Sequence, residues 1–433
     1  MISKAISVSR RCKDFLYFII GSVVLFFFVF GFRLPILKNS VYVAFSIAFL
    51  SLLFSWKKRN LAKVLFKNHF FWLAIFSQLL FVFFSCVSLL VNNSDDVSIF
   101  KTLFNDVFSV VASVIVVSSL YYQRKVGVFH LFCAILVIQS VAIIAMMLFP
   151  SFNSVIQSIV RSDAEAEFMS ATYGGVRGFG IAGSVAFGLS ITMGFLGFLV
   201  LVWFSSPSCH VNSGLKFFII LLSLFASISA GRAAMLGYVL GFFYFIFSST
   251  WFQKIKGSFK YSIYGWLSFI CLYILISESG FENIVSNYSH YAFQFIYNYM
   301  NSGNLSTTST SHLETMYFPL NSHQVLVGDG QYTNYDGTYY LSTDAGFMRF
   351  ALFMGIPFSF VIYSFFCILC LVSIRYFQDA LRKGMVIFLI AMMTFLYHIK
   401  GEVVLFSVSY MKVFYFLIFF FIARSKMISK SGE

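Results

Sequence analysis

Acidic residues are scarce in this chain: 16 Asp and Glu stand against 30 Lys and Arg, and charged residues make up 11% of 433 positions. So little charge, with 59% hydrophobic residues and a mean hydropathy of +0.85, excludes an ordinary soluble domain. Cysteine is missing from every long polar connector. Cys12, Cys86, Cys133, Cys209, Cys271, Cys367 and Cys370 all fall in apolar runs or basic connectors, and no disulfide is expected. Cys367 and Cys370 form a CxxC inside an apolar run, where it reads as small residues packing between helices. There is no P-loop, GxSxG elbow or HExxH, so nothing points to nucleotide use. His290, His312, His323, Asp329 and Asp336 match no zinc or calcium spacing, and neither a metal nor another cofactor is expected. No internal repeat supports an inverted-repeat transporter.

Long apolar runs are what the chain does have. They cover roughly 15–32, 41–56, 70–91, 102–122, 126–149, 183–204, 215–230, 233–250, 261–277, 345–373, 385–399 and 403–423. Most approach the ~20 residues a helix needs to cross a bilayer, and such unbroken runs exclude a β-barrel. The expected fold is all-α: one polytopic membrane domain over 1–433 with about 12 transmembrane helices. Threading the runs alternately places about 21 of the 30 basic residues on one side, in the amino terminus, 57–67, 124–125, Lys216, 254–260, 375–383 and the tail. Only Asp14, Asp379 and Glu433 join them there. By the positive-inside rule that side is cytoplasmic, with both termini inside. The net charge of +14 is therefore a topology signal, and nucleic acid is not an expected partner. The first run, preceded by basic residues, is expected to remain as a signal anchor.

Two connectors are long, and both face the other, external side. They span 150–183 and 278–343. Loops of this length are usually functional. In the second, apolar residues at helical spacing predict an amphipathic helix over 279–300, and Ser311 with Glu314 predicts a capping box. Ser342, Thr343 and Asp344 offer an N-cap to the span that begins at Ala345.

Ionisable groups at the external mouth or at membrane depth are costly and therefore candidates for function. Arg232 follows SISAG and opens GRAAMLGYVLG; its bland reading is a snorkelling anchor, on the side where anchoring arginines are rare. Arg177 sits between glycines in GGVRGFG, suited to phosphate or carboxylate, or is simply a solvated loop residue. The overlapping GxGxxG at 178–183 has no strand before it and no acid after it, which excludes a dinucleotide site. Asp344 and Arg349 lie in TDAGFMRFALFMG; Asp344 reads as an N-cap or a functional carboxyl, Arg349 as a functional cation or half of an ion pair. Lys400 and Glu402 flank Gly401 in a short external turn, above His398. Only Asp106 and Lys412 are charged in mid-span.

These residues together resemble a known family. The run VLVGDGQYTNYDGTYYLSTDAGFMRFALFMGI, the glycine-flanked arginine of the first loop, SAGRAAMLGYVLG and the YHIKGE turn are similar to segments of the Wzy-type O-antigen polymerases. The broader superfamily includes the O-antigen ligases, whose large-loop histidine pattern is not matched at His323. The resemblance implies a multi-pass protein of the bacterial inner membrane. It implies a glycosyltransferase that joins undecaprenyl-diphosphate-linked oligosaccharide repeats on the periplasmic face, with membrane lipid and a chain-length regulator protein as further partners. Arg232, Arg177, Arg349 and Lys400 would then meet the leaving diphosphate, and Asp344 or Glu402 would serve as base. Tyr339 and Tyr340, with His323, would contact sugar. An O-antigen ligase and a lipid-linked oligosaccharide flippase are the alternatives; scarce mid-span charge and the external polar mass favour an enzyme.

Overall fold

Each apolar run that the sequence marks outside 261–277 coincides with a helix in the computed structural model, which describes residues 2–35, 38–121, 127–161, 178–184, 186–248, 294–304, 306–377 and 382–429. The run at 261–277 lies outside the described residues. The helices are α1 (Ile2–Phe30), α2 (Ser40–Leu53), α3 (Trp56–Phe66), α4 (His69–Asn92), α5 (Ser98–Tyr121), α6 (Val128–Leu148), α7 (Pro150–Val160), α8 (Phe187–Phe204), α9 (Ser213–Ala230) and α10 (Met235–Ser248). They continue as α11 (Gln294–Ser302), α12 (Thr308–Thr315), α13 (Ser322–Leu326), α14 (Gly346–Ser373), α15 (Lys383–His398) and α16 (Val408–Ser429). Among the described residues the one β feature is an isolated bridge between Thr333 and Tyr339. Among the described residues seven helices are long and apolar enough to cross a membrane, or eight if α2 and α3, bent by 114°, count as one span; α10, α15 and the apolar part of α1 are shorter. This is a polytopic helical membrane protein.

The interior is built on α8 and α16, whose most apolar windows are 89% and 83% buried, whereas those of α4, α9 and α14 are 33% buried and show their outer faces to lipid. Small residues set the closest approach. A Cβ on Gly237 of α10 would strike the main chain at Gly194 of α8, and one on Gly197 would strike the Tyr238 ring. Small-residue contact of this kind holds helices together where apolar burial gives no net drive. Asparagine does much of the capping: Asn39, Asn68 and Asn212 accept from the amides of Val41, Phe70 and Gly214 at the starts of α2, α4 and α9.

The bundle has two chemically different ends. At one, α3 lies across the ends of its neighbours, with Lys216, Arg375, Arg382 and Arg424 in the adjoining termini. That end is joined by the Tyr376 hydroxyl donating to Asn68 Oδ1 (3.1 Å) and Lys216 Nζ donating to the Phe204 carbonyl (2.9 Å). At the other, the carboxyl end of α4, the amino ends of α5 and α14 and the carboxyl end of α15 are tied together by the segment 317–344.

The loops differ from expectation in detail. The first contains α7, whose Phe152, Val155 and Ile159 are exposed. In the second, the helix predicted over 279–300 is described only from Gln294 onward. The capping box is made by Thr307 and Thr310, one turn before Ser311 and Glu314, because the threonine hydroxyls already close on each other's amides. Asp344 does not cap α14: Ala345 is the N-cap, and its amide donates to Thr343 Oγ1 at 3.3 Å.

Candidate functional site

The run 325–356 folds into one local unit. α14 is broken at Gly355, which adopts φ +80, with Pro357 beginning the continuation. A break at membrane depth leaves carbonyls without helical donors, which only protein or trapped water can satisfy. The 328–330 turn supplies the donors: the Asp329 amide reaches the Leu352 carbonyl (2.6 Å), and the Gly330 amide reaches that of Phe353 (3.1 Å). Ser88 Oγ donates to Phe353 as well. Gly328 and Gly330 have φ +75 and +64, and a Cβ on Gly328 would sit 2.5 Å from the Phe353 carbonyl carbon. Only glycine meets both the left-handed backbone and the close approach.

Arg349 is the centre of this unit and is 3% exposed. Its Nε donates to Glu402 Oε1 at 2.8 Å, Nη1 to the Thr343 carbonyl at 3.4 Å and Nη2 to the Tyr332 carbonyl at 3.1 Å. Its Cζ lies 3.9 Å from the Tyr332 ring centroid and 4.2 Å from that of Tyr339. The Tyr332 hydroxyl donates to the other Glu402 oxygen at 2.6 Å. Burial pushes the Glu402 carboxyl above the ordinary carboxylate range, while Arg349 and Tyr332 pull it back. Of the two sequence readings, the ion pair is the one found. Arg349 is a strut with its charge met by Glu402 and its faces covered by aromatic rings, a geometry suited to holding the loop in place.

A second carboxylate fixes the same loop. Asp96, in the turn before α5, accepts the Tyr332 and Thr333 amides at 2.6 Å each. Burial would raise its carboxyl, but hydrogen bonds from Ser98, Thr333 and Tyr332 outweigh that and hold it below the usual value. Sequence reasoning missed Asp96. Its turn position between apolar runs was visible, but its partners lie 236 and 237 residues away, beyond any local signal.

Asp344 is different. Its Oδ1 is buried with no hydrogen-bond partner. Burial raises its carboxyl, opposed by the charges of Lys400, His312 and Arg349. The Tyr317 hydroxyl, bonded to the Ile399 carbonyl at 2.6 Å, closes one side. Arg349, Asp344, Glu402, Lys400 and the half-exposed Tyr339 thus share one rim. Tyr340 donates to Asp329 Oδ2 at 3.1 Å, and His323 Nε2 bonds Asn92 Oδ1 at 2.7 Å. His323 and Tyr340 therefore hold the loop to α4 and to itself.

Arg232 is packed among α8, α9 and α10, with Nη1 donating to Gln294 Oε1 of α11 at 2.9 Å. Its setting explains the small residues around it: Ser190 Oγ donates to the Gly231 carbonyl (2.6 Å) and accepts from the Ala234 amide (2.8 Å). Arg177 lies outside the described residues. The glycines after it are now accounted for. The segment 178–184 dips into the bundle, the Gly178 amide donating to the Ser229 carbonyl and the Gly183 amide to that of Phe30, each at 3.0 Å. A Cβ on Gly180 would strike the Gln139 amide, and one on Gly183 the Gly31 carbonyl. Close backbone passage is what these glycines allow. Arg161, which follows α7, is 5% exposed, and its Cζ lies 5.2 Å from the Phe179 ring centroid.

Among the described residues no group of three or more His, Cys, Asp and Glu could hold a metal. Comparison with protein-family models, with curated proteins and with solved structures finds no match for this chain.

Proposed function

We propose that the chain is an O-antigen-type polymerase of the bacterial inner membrane, with its basic end cytoplasmic, about 12 spans and the 317–344 rim on the periplasmic face. The observation that carries the reading is that the run bearing the resemblance closes as one unit around Arg349 and leaves a buried Asp344 oxygen unbonded, within the field of the Lys400 and His312 charges.

In this reaction a hydroxyl at the non-reducing end of one lipid-linked oligosaccharide attacks the anomeric carbon of another. The new glycosidic C–O bond forms as the bond from that carbon to the diphosphate breaks. The hydroxyl proton passes to Asp344, and undecaprenyl diphosphate leaves with the bonding electrons. Burial makes the Asp344 carboxyl more basic than an exposed one, which suits it to accept a proton. Glu402 is less suited because both its oxygens are engaged, by Arg349 and Tyr332. Cations meet the charge growing on the leaving group, and in a site shielded from water such contacts are worth most. Lys400 fills that part at the rim, and Arg232 and Arg177 are the arginines proposed with it. Arg349 positions the loop. Tyr339, stacked on Arg349 and half exposed, offers an aromatic face to a sugar.

Deletion in the host separates this function from its rivals. Loss of a polymerase leaves lipopolysaccharide capped by a single repeat; loss of a ligase leaves bare core with lipid-linked polymer; loss of a flippase traps lipid-linked units inside. Arg232→Ala and Asp344→Asn are each expected to reproduce the single-repeat phenotype at normal protein levels. Full-length chains from Asp344→Asn would dismiss Asp344 as the base.

A further inference from the structure

The basic end carries a feature that the proposed reaction does not use. α3 turns 114° from α2 and so runs across the bundle end. Its apolar residues Leu61, Ala62 and Leu65 are buried against the protein. On the opposite face Trp56, Arg59, Lys63 and Lys67, spaced by three and four residues, form one exposed stripe. The Arg59 Cζ and Lys63 Nζ lie 5.5 and 5.8 Å from the Trp56 ring centroid, which gathers both cations over a single aromatic platform. Trp56 is 63% exposed, and Phe54 in the elbow beside it is 88% exposed. No acidic residue occurs between positions 15 and 94.

An ordinary interfacial helix inserts its apolar face among acyl chains. α3 cannot, because that face is committed to the bundle; what it offers outward is positive charge with an aromatic anchor at headgroup depth. We infer that the Arg59–Lys63–Lys67 face of α3 binds the phosphate of an anionic phospholipid headgroup. Exposed aromatic side chains at Phe54 and Trp56 hold the helix at the height where such phosphates lie, and the uncompensated charge selects anionic over zwitterionic lipid. The inference is independent of the glycan chemistry proposed above.

The test uses the full chain in detergent, titrated with phosphatidylglycerol or phosphatidylcholine and read by native mass spectrometry. Tighter retention of phosphatidylglycerol is expected, weakening as salt is raised. Charges near a membrane surface contribute about fivefold each, so the combined Arg59→Gln, Lys63→Gln and Lys67→Gln variant should bind it about a hundredfold more weakly. Arg59→Gln alone should lose about fivefold, and Lys101→Gln at the opposite end should lose nothing. Equal retention of the two lipids, or an equal loss from Lys101→Gln, would overturn the inference. So would displacement of the lipid by millimolar inorganic phosphate, which would mark a site for free anions. Capture of a poly-glutamate peptide without phosphatidylglycerol would overturn it in favour of a protein partner.

Discussion

At the basic end of the bundle, Arg59, Lys63 and Lys67 lie on the surface, and each is solvated whatever its neighbours do. At the loop end Arg349 is 3% exposed, each of its nitrogens donates to a carboxylate or carbonyl, and two tyrosine rings cover its faces. The same guanidinium chemistry is cheap in one place and demanding in the other. A surface charge can be moved or deleted at small cost, whereas a buried one fixes the identity of every group around it. Geometry is therefore specified at the loop end, while the basic end specifies only sign.

The sharpest way to break this comparison is to strip the buried cation of its partner. Glu402→Ala should destabilise the protein by about 3–5 kcal/mol, seen as a drop in unfolding temperature in detergent. Arg349→Met combined with Glu402→Leu should recover much of that loss; a single variant that melts like the parent would show that the pair anchors nothing. Tyr332→Phe removes a hydrogen bond to a charged acceptor and should cost about 1.5–3 kcal/mol by the same measurement. Gly355→Ala forces a side chain into φ +80 with the Leu326 carbonyl oxygen 2.5 Å from the new Cβ, and a loss of about 1–3 kcal/mol is expected. Asp344→Asn should act in the opposite direction. Burial raises the folded carboxyl above its unfolded pKa. The folded state therefore binds the proton more tightly, and this contribution is complete below the unfolded pKa and lost as pH rises through the folded value. Asparagine removes that loss, so the variant should gain under ~1 kcal/mol at neutral pH, after allowance for solvent screening, while its glycan product shortens. Arg59→Gln should change stability by less than ~0.5 kcal/mol.

The spans found among the described residues were legible because a bilayer demands long apolar runs and tolerates few charges. The depth of Arg349 was legible for the same reason, and so was its need for a partner. Which partner was not: Glu402 is 53 residues away across α14 and α15, and no periodicity connects them. α3 passed as a connector because its charges mask an apolar face of Leu61, Ala62 and Leu65. The break at Gly355 was hidden inside a continuous apolar run, since the glycine announces a possible bend but the loop that satisfies it comes from 328–330. Of the two readings of Asp344, the cap was the one its local sequence favoured and the structure does not make. The cap geometry went instead to Ala345 and the Thr343 hydroxyl. Arg232 was marked by its small neighbours, but its bond to Gln294, 62 residues on, depends on helix packing that composition does not encode.

The loop's attachment at the broken helix runs through main-chain amides of Asp329 and Gly330, so the joint is indifferent to most side chains. Beyond it, the 333–339 hairpin projects with Tyr335 fully in solvent, while Arg349 and Asp96 grip only its base. Such a design lets the tip be exchanged or lengthened without unseating the rim. Residues at the tip can therefore vary one by one while the clamp beneath them keeps its shape.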